Sequence, residues 1–279
     1  MNQSENNSIW EFFIDYIRQF PTQYTLNNLN PLKPNRDIYV MTFCDSTIIN
    51  NFAQTQANNN IYLEPHTKFF LTLIPNTTKF FVNLFCCAIS MEKIHHRFSD
   101  YGLAIEGCFN VEPITMMPQF YTGTEMKTNK IINIRGTGTE PKLETAFLML
   151  DNHTITKIVN KTEFFSYGKF GSNIRYIEGL RLVDNGNVVV TNFPDNNTGY
   201  LILAFDKDDN IFIMSHANTN MSNMLELLKI FMCKNAILLC ETPNPHIIWK
   251  INQATNRYNS TNFIGNPSDP ISNVITFSA

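Results

Sequence analysis

Six histidines and six cysteines are the side chains of this 279-residue chain best suited to proton-transfer, nucleophilic or ligand chemistry. Their spacing limits what that chemistry can be. No two cysteines form a C-x-x-C pair, so the sequence spells neither a zinc site nor a disulfide framework, and no metal or cofactor is implied. Cys86 and Cys87 stand in a Phe/Val-rich run and read as buried, reduced thiols. His216 follows the apolar run Ile211–Met214 and is expected just past a strand end, where a sheet would hold its imidazole in place. A lone imidazole needs a second group within hydrogen-bond reach before it can act in catalysis. Tyr200, His153 and Cys108 are the upstream candidates. A phenol titrating at about 10 is a poor nucleophile at neutral pH. Cys108 with His216 would give a Cys-His hydrolase or deamidase, but no motif surrounds either residue. The simpler account of His216 is a partly buried ring satisfied by backbone. His66 and His246 each follow a proline and read as solvated loop residues. Of the adjacent pair His95-His96 only one could enter a site, since neighbours on a strand face opposite ways. Gly136-Thr-Gly138-Thr lacks the G-K-[ST] ending that would contact a phosphate and reads as a turn.

The elements that must position these groups follow from periodicity. Leu201–Phe205 and Ile211–Met214 are strand-length apolar runs, and Asp206–Asn210 supplies the turn chemistry for a hairpin between them. Val188–Val190 is a further short apolar run. Met221, Met224, Leu225, Leu228 and Met232 share one helical face, with Asn220 or Ser222 as cap. Near the start, Ser8-Ile-Trp-Glu11 is a capping-box pattern opening a helix whose stripe is Ile9, Phe12, Phe13, Tyr16, Ile17 and Phe20, stopped by Pro21. Ile38–Cys44, Lys68–Ile74, Phe80–Ile89, Ala236–Cys240 and Asn273–Ser278 read as strands, Thr47–Gln56 and Leu143–Leu150 as helices, and Leu26–Arg36 as a loop.

Read residue by residue, NVVVT, TGY, FDKDD and SHANTN resemble the laccase-domain family (multicopper polyphenol oxidase-like, or peptidoglycan-editing-factor, proteins), where a D-x-x-V-T strand leads to A-D-C, a D-P hairpin and H-A-G-W-[RK]. Members of that family include purine nucleoside phosphorylases and adenosine deaminases. The resemblance implies an α/β (α+β) fold with a mixed β-sheet core flanked by helices. It covers roughly the last two thirds of the chain, so residues 1–78 are expected as an N-terminal extension and 79–279 as a laccase-like domain. It also implies a pocket where two histidines and a cysteine converge. Here Tyr200 stands at the cysteine position and Phe170 at one histidine position, in a segment resembling Q-V-H-G. Phe98, Asn218 and Asn220 fall at positions that would line the substrate pocket, Asn218-Thr219-Asn220 replacing Gly-Trp-Arg/Lys. The implied protein is a pseudoenzyme with a binding or scaffolding role and a remnant purine-nucleoside pocket. The alternative is an active phosphorylase or deaminase using His216 with Tyr200 and His153.

Composition sets the outer limits. A hydrophobic fraction of 43% with 23 Phe argues for a folded chain. A net charge of −3 without Lys/Arg runs gives no footprint for nucleic acid or an anionic membrane, and no apolar run reaches spanning length. A cytoplasmic location is expected. A protein partner is expected to meet the N-terminal helix through Trp10, Phe12 and Phe13, unless that stripe docks on the body of the protein itself.

Overall fold

Apolar side chains along the central strands alternate between two destinations, and that alternation builds the layers. The computed structural model describes residues 9–19, 24–28, 39–43, 46–57, 62–63, 69–74, 81–90, 93, 103–106, 120–122, 145–151, 154–160, 162–163, 174–190, 193, 196–242, 245–250, 261–264, 266, 268 and 270–278. In chain order the first elements are α1 (Ile9–Arg18), β1 (Tyr24–Asn28), β2 (Tyr39–Phe43), α2 (Thr47–Ala57) and β3 (Phe69–Ile74). Then come β4 (Phe81–Ser90), β5 (Leu103–Glu106), β6 (Phe120–Thr122), β7 (Thr145–Asp151), β8 (Thr154–Asn160) and β9 (Ile174–Asp184). The last third holds β10 (Asn187–Val188), β11 (Thr198–Asp206), β12 (Ile211–Thr219), α3 (Met221–Ile230) and β13 (Cys233–Glu241). It closes with β14 (Ile247–Lys250), β15 (Thr261–Ile264) and β16 (Pro270–Ser278).

The strands form two sheets. The larger runs β1-β2-β3-β12-β11-β13-β9-β7-β8, with β6 and β10 added on β9, and the smaller runs β15-β14-β5-β16-β4. Ile202, Ala204, Phe212, Met214, Leu71 and Leu73 pack with α1, α2 and α3. Their neighbours Leu201, Leu203, Ile211, Ile213, Phe70 and Ile74 pack with Leu103, Ile105, Ile247, Ile275 and Phe277 of the smaller sheet. A period of two thus sends alternate residues of β3, β11 and β12 to opposite faces, which gives helices, large sheet and small sheet as three layers. A β-sheet core flanked by helices is present, as expected for an α/β (α+β) chain. The pairing is antiparallel at every described register rather than mixed.

The helix layer is sealed by aromatic rings. Trp10 stacks on Phe231 with ring centroids 4.6 Å apart and meets Phe212 edge-on at 5.3 Å, while Phe13 meets Phe52 at 4.8 Å. Trp10 and Phe13 are therefore core residues, and of the expected partner-binding trio only Phe12 is exposed. The stripe docks on the body of the protein. The first 78 residues contribute β1–β3 to the large sheet by pairing β3 with β12.

Several strands and helices lie where the sequence places them, and some do not. The run Leu143–Leu150, expected helical, is strand from Thr145 on, within β7, with Ala146 and Leu148 buried on one face. A short, continuously apolar run gives no helical or strand periodicity to choose by. The run after Val188 is no core strand. β10 is a two-residue partner of β9 across the turn Asn185-Gly186, whose φ values of 48° and 81° are the left-handed pair of a tight hairpin, and Val189 is exposed. In α3, Asn220 is the cap, its side chain accepting from the Asn223 backbone N–H at 2.9 Å, and Met221, Met224, Leu227, Leu228 and Ile230 are the buried positions. Met232 lies past the helix end at φ 52° and is half exposed. Among the described residues no helix is long and apolar enough to cross a membrane.

Candidate functional site

β11 and β12 carry Tyr200 and His216 directly opposite each other, so both side chains leave the helix-covered face of the large sheet. β12 extends to Thr219, which places His216 inside the strand rather than beyond it. Both residues are fully buried. Phe69 of β3 lies on the other side of His216, ring centroids 5.9 Å apart, and Phe193 meets Tyr200 edge-on at 6.5 Å. On the far side of Tyr200, β13 presents Glu241 at the paired register position. The site thus sits where three central strands end beside the start of α3.

Gly199 allows this approach. A Cβ there would lie 2.1 Å from the Thr242 carbonyl oxygen and 2.5 Å from Pro245 Cδ, so the segment after β13 presses directly on the start of β11. The Thr242 N–H donates to the Gly199 carbonyl at 3.0 Å and fastens the two.

The electrostatics move both groups away from neutral-pH proton transfer. Burial, with a smaller contribution from the Glu241 charge, pushes the Tyr200 phenol up to about 12. Burial also drives His216 down to about 4. Its Nδ1 accepts the Asn218 backbone N–H at 3.1 Å, which fixes the neutral ring with its proton on Nε2. The Tyr200 hydroxyl finds no hydrogen-bond partner among the described residues. A phenol that does not ionise and an imidazole that does not protonate form a poor acid–base pair near pH 7.

The other candidates divide between described and undescribed positions. His153, Phe98, Phe170 and Cys108 lie outside the described residues, as do His66, His95 and His96. Asn218 and Asn220 lie close to His216 in sequence, but the Asn220 side chain caps α3, and the part Asn218 plays at His216 is through its backbone. His246, expected in solvent, is buried, and its Nδ1 lies 2.8 Å from Glu106 Oε2. β14 pairs with β5 immediately beyond it, which carries the histidine inward; a proline neighbour in the sequence gives no hint of that. Glu241 and Phe193 were not legible as neighbours of Tyr200, because only the strand order brings them there. Among the described residues no group of three or more His, Cys, Asp or Glu could hold a metal ion.

Comparison with protein-family models and with curated proteins gives no match. Solved structures do match. The catalytic domain of zebrafish N-acetylglucosamine-1-phosphodiester alpha-N-acetylglucosaminidase, auto-inhibited by its pro-peptide, aligns at a TM-score of 0.53 and 11% identity, over 94% of this chain and 90% of that one. A hypothetical protein from Synechocystis aligns at a TM-score of 0.51 and 11% identity over 87% of this chain. This chain spans 62% of the length of the Synechocystis protein. At such identities the likeness is one of fold. Neither description mentions a laccase domain.

Proposed function

We propose that this chain is a binding or scaffolding protein, built on a scaffold that elsewhere carries catalysis, in which the former active-site position has become core. One observation carries this reading: Tyr200 and His216, the two described residues best placed for chemistry, are fully buried under the helix layer with their titrations displaced to about 12 and about 4. A substrate cannot be handled by groups it does not touch. The fold-level likeness to a glycosidase catalytic domain supports an enzyme-type ancestry. The strand–hairpin–strand–helix order over 198–230 is what favours a divergent laccase-domain lineage with a remnant purine-nucleoside pocket. Among the described residues Phe12, Tyr62, Val189 and Met232 are the large exposed apolar side chains through which a protein partner would be met.

The test is direct. Purified protein is incubated with inosine plus phosphate, with adenosine, and with an N-acetylglucosamine-1-phosphodiester. No base, ammonia or sugar release is expected. Release that disappears in His216→Gln, with the variant's circular dichroism unchanged, would overturn the reading in favour of a remodelled phosphorylase, deaminase or phosphodiester glycosidase.

The second reading, an active enzyme, is favoured by the near-complete overlap with a catalytic domain. Its substrate would have to reach Tyr200 and His216 through a rearrangement of the segment beside Gly199.

A further inference from the structure

We propose that Asn185 is a site of covalent modification, an Asn-Gly step whose amide is lost as ammonia to leave aspartate or isoaspartate, and that the fold confines this reaction to moments when the β9–β10 hairpin opens. The chain holds one Asn-Gly step, and it falls at the tip of that hairpin, where Asn185, Gly186 and Asn187 are all exposed. The chemistry follows from the residue types. Gly186 has no Cβ to shield its backbone nitrogen, so that nitrogen, once it gives up its proton to hydroxide, can reach the side-chain carbon of Asn185. A bond forms from the Gly186 nitrogen to Asn185 Cγ, the Cγ–Nδ2 bond breaks, and ammonia leaves. Water then opens the cyclic imide at one carbonyl or the other. The product is aspartate or, where the main chain is rerouted through the side chain, isoaspartate.

In the closed hairpin the reacting groups are engaged. The Gly186 N–H donates to the Lys234 carbonyl at 2.8 Å, and the Asn185 N–H donates to Asn235 Oδ1 at 3.3 Å, so the step is tied to the start of β13 on both sides. The leaving amide is held as well. Asn185 Nδ2 donates to Asp184 Oδ1 at 3.0 Å, the same oxygen that accepts Arg181 Nη2 at 2.6 Å. Removing the Gly186 proton forfeits the bond to Lys234, and closing the imide turns Asn185 out of its left-handed conformation at φ 48°. The reaction therefore waits on local opening. Its two products act differently on the fold. Aspartate suits the same tight turn, and its new charge lies beside the Arg181 guanidinium that already shares the Asp184 oxygen. Isoaspartate puts an extra carbon into the main chain of the turn, so the hairpin tip comes away from Lys234. None of this depends on whether the chain is an enzyme.

Peptide mapping by mass spectrometry tests it on the full chain, aged at pH 8 in buffer and in urea. In urea the peptide holding residues 184–187 is expected to gain about 1 Da and to resolve into aspartate and isoaspartate forms. In buffer the same gain is expected to be at least about tenfold slower. Asn185→Gly keeps a residue suited to the turn but has no amide, and is expected to abolish the gain. No gain in urea, or a gain that persists in this variant, would overturn the site; equal rates in buffer and urea would overturn the gate. The urea arm needs no folded variant, so the site is decided even if Asn185→Gly does not fold. Asn185→Asp reproduces the aspartate product and is expected to keep hydrogen-exchange protection of the Gly186 amide within about twofold. The isoaspartate fraction of the aged chain, isolated by ion exchange, is expected to lose at least about tenfold. Protection kept in the isoaspartate form would overturn the claim that it frees the tip.

Discussion

The indole N–H of Trp10 donates to Asp206 Oδ2 at 3.1 Å, joining the first helix to a hairpin turn 196 residues away. Asp206 is itself buried and is the hub of that turn. Its Oδ1 accepts the backbone N–H groups of Asp208 and Asn210, and its Oδ2 also accepts Asn210 Nδ2. A buried carboxylate is tolerated only when it is surrounded by donors in this way. Trp10→Phe keeps most of the ring packing on Phe231 and removes one charge-assisted bond. Urea denaturation followed by circular dichroism is expected to show a loss of about 2 kcal/mol. Asp206→Ala, which orphans several donors at once, is expected to cost about 3–5 kcal/mol.

Tyr200→Phe should behave in the opposite way. The hydroxyl is buried with no partner among the described residues, so removing it relieves a desolvated polar group without opening a cavity. The variant is expected to match the natural chain within about 1 kcal/mol or to exceed it in thermal and chemical denaturation. A clear loss of stability would mean that the hydroxyl has a partner in the folded protein.

Gly199→Ala is expected to be among the more damaging single-methyl changes. The added carbon meets a backbone oxygen at 2.1 Å, and a main-chain carbonyl cannot swing aside as a long side chain can. A loss of about 2–3 kcal/mol in urea is expected, with the disturbance mapped by exchange to Thr198–Tyr200 and the segment after Glu241.

Stability should fall in mild acid. The His216 ring titrates at about 4 in the folded chain and near 6.5 when exposed, so the unfolded state binds the extra proton first. The full contribution is present above 6.5 and is lost as the pH falls towards 4, where the deficit approaches about 3 kcal/mol. Denaturant midpoints measured at pH 7.5 and 4.5, for the natural chain and for His216→Gln, isolate this share.

Cys233 and Cys240 are buried, and the Cys233 thiol is pushed up by burial, with the nearby Asp206 charge adding to the effect. Cys233 therefore presents no thiolate at neutral pH. Maleimide labelling mapped by mass spectrometry is expected to leave both unmodified in the native chain and to reach both in urea. Labelling of Cys233 without denaturant would contradict the packing of β13 beneath α3.

What could be read from the sequence was local. The hairpin around Asp206–Asn210, the α3 stripe and its Asn220 cap follow from turn chemistry and period, and β2, β3, α2, β13 and β16 lie where apolar runs place them. Order across the sheets was not legible. Nothing in the residues says that β9 joins β13 to β7, or that His246 turns inward beside Glu106. The site was half legible for the same reason. His216 and Tyr200 stand out by type, yet the rings packed against them, Phe69 of β3 and Phe193, come from distant parts of the chain or from a segment with no strand pattern. The expectation that Trp10 and Phe13 meet a partner failed because an amphipathic stripe looks the same whether another protein or its own chain covers it.

That last point bears on how the chain is made. Helix α1 leaves the ribosome with its aromatic face bare; Phe52 follows early, but the rings that cover Trp10, Phe212 and Phe231, emerge some two hundred residues later. Contacts of such separation form late and slowly. During synthesis Trp10 is therefore exposed until those rings follow, a ready target for a holding chaperone and a place where aggregation can begin.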